Sequence, residues 1–170
     1  NRMVNLDSED EGIFLTSCAG GARVKCDLKL ETQKLNGLTY EVTVGGLLGG
    51  HSGGEIDKER GNSNCLFGRL LRRPVGLAEL KGGLADNAIP RETVGLLVID
   101  RVDSEKFASV LDTVEKEIQS ELSSKDPDVF IKATEKVSAA VECTTAEGTR
   151  KAANFLSAVP NGVQAMSADM

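Results

Sequence analysis

"LNGLTYEVTVGGLLGG" (residues 35–50) decides how the chain is to be folded, because it holds a turn signal, a strand pattern and a break, in that order. Leu38, Tyr40, Val42 and Val44 alternate with other residues, the period-2 pattern of a half-buried strand. Val24, Cys26, Leu28 and Leu30 alternate in the same way upstream, and Asn36-Gly37 lies between the two runs. Asn-Gly suits the left-handed backbone of a tight hairpin turn, so the two runs are expected to pair as a hairpin.

Downstream of the glycines, Ser52-Gly-Gly-Glu55 has the spacing of a capping box. Ile56, Ser63, Phe67 and Leu70 share a face of the helix it would open, which is expected to reach about Leu71. Val75 to Leu80 and Thr93 to Ile99 read as strands, the second nearly all apolar and so predicted to lie centrally. Between them runs the turn-rich loop "KGGLADNAIPRE". Asp103-Ser104 caps the clearest helix, with Phe107, Val110, Leu111, Val114, Ile118 and Leu122 at helical spacing, and Asp126-Pro127 stops it. Val129 to about Cys143 returns to extended alternation, and Thr144-x-x-Glu147 is a second capping box for a short helix to about Leu156. From Leu38 the order is strand, helix, strand, strand, helix, strand. The fold class is therefore α+β: a ferredoxin-like antiparallel sheet with two main helices on one face, an extra N-terminal hairpin strand and a short C-terminal helix. That fold hosts many functions and identifies none.

A chain of 170 residues is enough for one well-cored domain. Aromatic residues are 4% and Trp is absent, so the core is expected to be aliphatic. Twenty Lys and Arg stand against 26 Asp and Glu, a net charge of −6 that argues against nucleic acid or an anionic membrane as partner. No apolar run approaches the ~20 residues of a membrane span. The four cysteines, Cys18, Cys26, Cys65 and Cys143, form no C-x-x-C pair and read as reduced, mostly buried thiols of a cytoplasmic protein. The opening "NRMVNLDSEDEG" and the closing "AVPNGVQAMSADM" read as the ends of a piece cut from something larger.

His51 is the only histidine, and six glycines fall between residues 45 and 54 around it. Bare backbone on both sides suits a residue that something must approach closely; equally, the glycines could only shape a tight strand-to-helix turn. A helix starting at Ser52 would favour an anion beside His51. A P-loop is excluded, since Gly50 is followed by His51-Ser52 and not by Lys-Ser/Thr. A dinucleotide fingerprint lacks its parallel βαβ context. "NLDSEDEG" (residues 5–12) carries Asp7, Glu9, Asp10 and Glu11, either a solvated acidic turn or oxygens for a metal. With one His and no cysteine pair, the chain by itself does not readily assemble a catalytic zinc site. No Gly-x-Ser-x-Gly elbow is present.

Taken together, "NLDSEDEG", "CAGG", "GGHSGGEI", "RGNSN", "GGLADNAIPRE" and "PNGV" resemble the aminoacyl-histidine (Xaa-His) dipeptidases, a branch of the dinuclear zinc peptidases and deacylases. The matches run in family order over essentially the whole chain. The resemblance implies that residues 21–158 are the lid and dimerisation domain. Residues 1–20 would be a fragment of the zinc catalytic domain leading into it, and 159–170 the start of the return. It implies two zinc ions in the full-length enzyme, with Asp7 as one ligand and none held stoichiometrically by this chain alone. It implies that His51 reaches the active site of the partner subunit in a homodimer and polarises the scissile carbonyl, and that Asn87 holds the dipeptide substrate. The general base and the other ligands would lie elsewhere, so Glu9 and Glu11 take no such role. The connection "RRPV" after the first helix is shorter than the family pattern implies. A related tripeptidase or N-acyl amino acid deacylase, or a non-catalytic ferredoxin-like module binding a small anion at residues 45–54, are the alternatives.

Overall fold

Both edges of the strand formed by the opening stretch are occupied. The computed structural model of the chain describes residues 11–14, 20–136 and 140–166. Its elements are β1 (Thr32–Leu35), β2 (Leu38–Gly45), β3 (Gly50–His51), α1 (Ser63–Leu70), β4 (Gly76–Gly82), β5 (Ala88–Ile89), β6 (Thr93–Ile99), α2 (Ser104–Leu122), β7 (Phe130–Lys136), β8 (Val141–Thr144) and α3 (Ala146–Ala158). Strand β2 pairs antiparallel with β6 on one side and with β7 on the other. The main sheet has the order β4-β6-β2-β7, all antiparallel, so the first and third strands of the β2-α1-β4-β6-α2-β7 unit sit at its centre. That is the split βαβ arrangement expected from the element order.

Since β2 has no free edge, residues 24–30 have nothing there to pair with. They are in no strand, and the expected hairpin does not form. The short β1 pairs instead with β8, Gln33 opposite Cys143, in a separate two-stranded sheet. Asn36-Gly37 is the bend between the two sheets, and a side chain at Gly37 would run into the carbonyl oxygen of Ile99.

Tyr40, Val42 and Val44 on β2 face the same side as Leu97 and Ile99 on β6, and that face carries the helices. From α1, the tip of the Phe67 ring abuts Gly95, where any Cβ would overlap it. From α2, Phe107, Leu111, Val114 and Ile118 are buried, with the Phe107 ring 5.2 Å from that of Tyr40. Gly68 allows α1 to close on α3, since a Cβ there would lie 2.9 Å from Leu156 Cβ. The core is aliphatic, as the composition implied, with Phe67 and Phe107 its buried aromatic rings among the described residues.

Helix capping differs from expectation at three starts. Helix α1 begins at Ser63, with Asn62 as its cap, and not at Ser52. Glu55 does reach back, but to the His51 N–H, and only a 3-10 turn over Ile56–Lys58 follows before Glu59 turns left-handed at φ 53°. Before α2, Asp103 makes no side-chain cap; Asp100 caps a preceding 3-10 turn by accepting from Val102 N–H. For α3 the cap is Thr145, one residue later than expected. Thr144 Oγ1 turns inward, accepts from Leu77 N–H at 2.9 Å and meets Thr149 Oγ1. The "RRPV" connection is a tight bend, Arg73 N–H to Leu70 O and Val75 N–H to Arg73 O. Cys26, Cys65 and Cys143 are free thiols, but of these only Cys143 is buried; Cys18 lies outside the described residues.

Candidate functional site

The chain leaves β2 at Gly46, whose φ of +78° and contact with the Asp128 carbonyl admit only glycine. It then runs out to the short ladder of β3 with β5, where Gly50 pairs with Ile89 and His51 with Ala88. Ser52 N–H donates to Asn87 O at 2.9 Å, so the two family-pattern residues lie close together, His51 on β3 and Asn87 in the turn just before β5, and both are exposed. The structure thus brings His51 and Asn87 together. Asp7 lies outside the described residues.

The imidazole is held by its own loop. Nδ1 accepts from Gly53 N–H at 3.1 Å and from Gly54 N–H at 3.2 Å. An Nδ1 that accepts carries no hydrogen, so the neutral ring keeps its proton on Nε2, the atom left to act outward. A Cβ on Gly53 would sit 3.2 Å from both Nδ1 and Cε1, so a bare residue there lets the ring lie over the turn. Glycine's service at Gly50 is likewise internal, because a Cβ would strike the Glu55 carboxylate and the Arg60 guanidinium.

Those two side chains tie the loop shut. Glu55 Oε2 accepts from His51 N–H at 3.0 Å, and its Oε1 takes Lys58 Nζ at 2.8 Å and Arg60 Nη1 at 3.0 Å. Arg60 Nη1 also donates to Gly49 O. The Lys58 hydrogen bond, then that from His51 N–H, and the charge of Arg60 hold the Glu55 carboxyl down at about 2. Anchoring continues through "RGNSN". Gly61 N–H donates to the buried Asp126 carboxylate at 2.7 Å. Asn62 Oδ1 caps α1 at Asn64 N–H while its Nδ2 donates to Asn161 Oδ1. Thr93 Oγ1 donates to Asn64 Oδ1 at 2.7 Å and shares a second hydrogen bond with Ser63 Oγ, also at 2.7 Å. Sequence reading placed Glu55 in a helix cap and Asp126 at a helix stop; only the spatial closure of the loop reveals their other work.

Among the described residues, no group of three His, Cys, Asp or Glu side chains is placed to hold a metal ion. Nor does His51 sit at a helix start, since α1 opens at Ser63, and the helix-dipole argument for an anion beside it falls away.

Over 170 aligned residues the chain is 33% identical to the cytosol non-specific dipeptidase of Escherichia coli (strain K12), covering 95% of this chain and 34% of that enzyme. The crystal structure of aminoacylhistidine dipeptidase from Vibrio alginolyticus matches with a TM-score of 0.76 at 29% identity, over 85% of this chain and 30% of that one. The chain is homologous to part of these dipeptidases. It spans about a third of their length. No protein-family model matches it. The α+β arrangement of antiparallel sheets and three helices is the fold of the corresponding segment of the Vibrio dipeptidase. The dipeptidase homology covers both the loop that carries His51 and the turn that carries Asn87.

Proposed function

We propose that this chain is the lid and dimerisation domain, residues 21–158, of a zinc metallo-dipeptidase that hydrolyses Xaa-His dipeptides such as β-alanyl-histidine. Residues 1–20 and 159–170 connect it to a catalytic domain. The observation that carries the reading is the presentation of His51: an exposed ring whose Nδ1 is occupied by two backbone N–H groups, leaving Nε2–H as a fixed outward donor. The dipeptidase homology supports the reaction class.

Peptide hydrolysis builds negative charge on the carbonyl oxygen. A preset donor aimed at that oxygen contributes roughly 3–4 kcal/mol to the transition state. In this proposal His51 of one subunit supplies that donor to the site of the other, and Asn87, in the turn before β5, hydrogen-bonds the substrate. The zinc ions enter through Asp7 as one ligand. The described residues do not themselves form a metal site, so His51 and Asn87 are the groups through which this domain acts. The name of the Escherichia coli relative agrees with a cytoplasmic setting.

The test is His51→Ala in the full-length protein, assayed on β-alanyl-histidine beside a tripeptide and an N-acyl amino acid. A loss of roughly 10²–10³ in kcat is expected, with metal content and dimerisation unchanged. Unchanged kcat would sink the reading. A preference for the tripeptide or the acyl amino acid would move the protein to a neighbouring activity.

A further inference from the structure

The loop that carries His51 leaves the fold and returns to it between Leu48 and Gly61, and one side chain holds both ends. Asp126 is 0% exposed. Its Oδ1 accepts from Leu48 N–H and its Oδ2 from Gly61 N–H, each at 2.7 Å, the short distances of charge-assisted bonds. The residue is itself anchored to the scaffold. Its N–H donates to Leu122 O at the end of α2, and its carbonyl accepts from Val129 N–H where the chain turns into β7.

Both donors belong to the loop, one on each leg, three residues before His51 and ten after it. The fit around them is close. A Cβ on Gly61 would lie 2.8 Å from both Leu122 Cδ1 and Leu47 Cδ2, so only glycine brings the returning leg to the carboxylate. Further out, Arg60 joins the legs again through Gly49 O and Glu55. Burying a carboxylate costs several kcal/mol unless its oxygens are satisfied, and here two N–H groups of one loop satisfy them. Removing the carboxylate leaves those two N–H groups, that of Gly61 buried and that of Leu48 partly so, without this acceptor, and the cost falls on the loop legs and not on the sheet.

We propose that Asp126 is the positioning residue of the His51 loop: a buried carboxylate, remote in sequence, that staples the two legs and so fixes where the imidazole points. The inference rests on the reading of His51 as the working side chain. Asp126 touches no substrate, and its effect passes through the loop alone.

Asp126→Asn in the full-length protein tests it, because the side chain keeps its size but turns an NH2 toward one of the two N–H donors. Residue-resolved hydrogen exchange should quicken at least about tenfold across residues 48–61 while β6 stays protected. The kcat on β-alanyl-histidine should fall roughly 10²-fold with little change in KM, since a misplaced donor is missed only in the transition state. Unchanged exchange in residues 48–61 overturns the proposal whatever the activity. A loosened loop with intact kcat upholds the staple and overturns the catalytic reading of His51. If the variant does not fold, the unaltered protein decides: Leu48 and Gly61 amides as slow as those of β6 support the staple, and fast exchange at either one overturns it.

Discussion

The orientation of His51 depends on the residues just after it. Gly53 and Gly54 supply the N–H groups that occupy Nδ1. Gly53→Ala puts a methyl 3.2 Å from that nitrogen, closer than side chains ordinarily approach, so the ring must swing by a few tenths of an ångström or more. The expected outcome is a change in the His51 ring nitrogen resonances from one fixed tautomer to a mixture, with the fold unaltered. Glu55 works on the same loop by charge. Its carboxyl titrates at about 2, pulled down first by the Lys58 hydrogen bond and then by the His51 N–H. A depressed carboxyl contributes order above its ordinary value and loses it as pH falls through the depressed one. The loop should therefore hold its geometry through the range from about 4.5 to about 2. In Glu55→Gln the acid-dependent part of that order is gone, and exchange at His51 N–H becomes faster already at neutral pH. Equal exchange in the two proteins across the range would remove Glu55 from the account.

Among the elements, the interior ones were legible and the joints were not. Strand β6 spans Thr93–Ile99 and α2 runs Ser104–Leu122, both as the apolar patterns indicate, because burial on a fixed face is written in local periodicity. The hairpin failed because β1 finds its partner in β8, more than a hundred residues away, and no local pattern records such a pairing. The start of α1 failed because Ser52 and Glu55 present half a capping box: the Glu reaches back, but left-handed Glu59 stops the turn before a helix can grow. Asn62, which begins the real helix, was visible only within the family-like "RGNSN". Its side chain accepts from Asn64 and Cys65 N–H and also donates to Asn161 in the exit segment. Asn62→Ala should cost about 1 kcal/mol from the lost cap, seen as a lower urea midpoint at unchanged slope. Asn62→Ser, which keeps a capping oxygen but cannot reach Asn161, should recover most of that loss.

At the scale of the whole molecule, the proposed function divides the candidate site between this domain and a catalytic domain, and a mixing experiment follows from that division. Under the proposed function, His51 acts in the other subunit's site whereas Asp7 binds metal in its own. Full-length His51→Ala and Asp7→Asn proteins should each be inactive for different reasons. In a dimer formed from one of each, the site with intact Asp7 receives an intact His51 from its neighbour, and the opposite site lacks both. Random pairing of equal amounts makes half the dimers mixed, each with one working site of two, so activity should return to about a quarter of the unaltered protein's. If His51 instead serves its own subunit, one site lacks the histidine and the other lacks the metal ligand, and mixing restores nothing. The control is the same mixture assayed before the subunits have had time to exchange, where activity should stay absent until exchange has occurred. A mixture that remains inactive although light scattering shows mixed dimers would confine His51 to its own subunit and remove the need for a dimer in the chemistry.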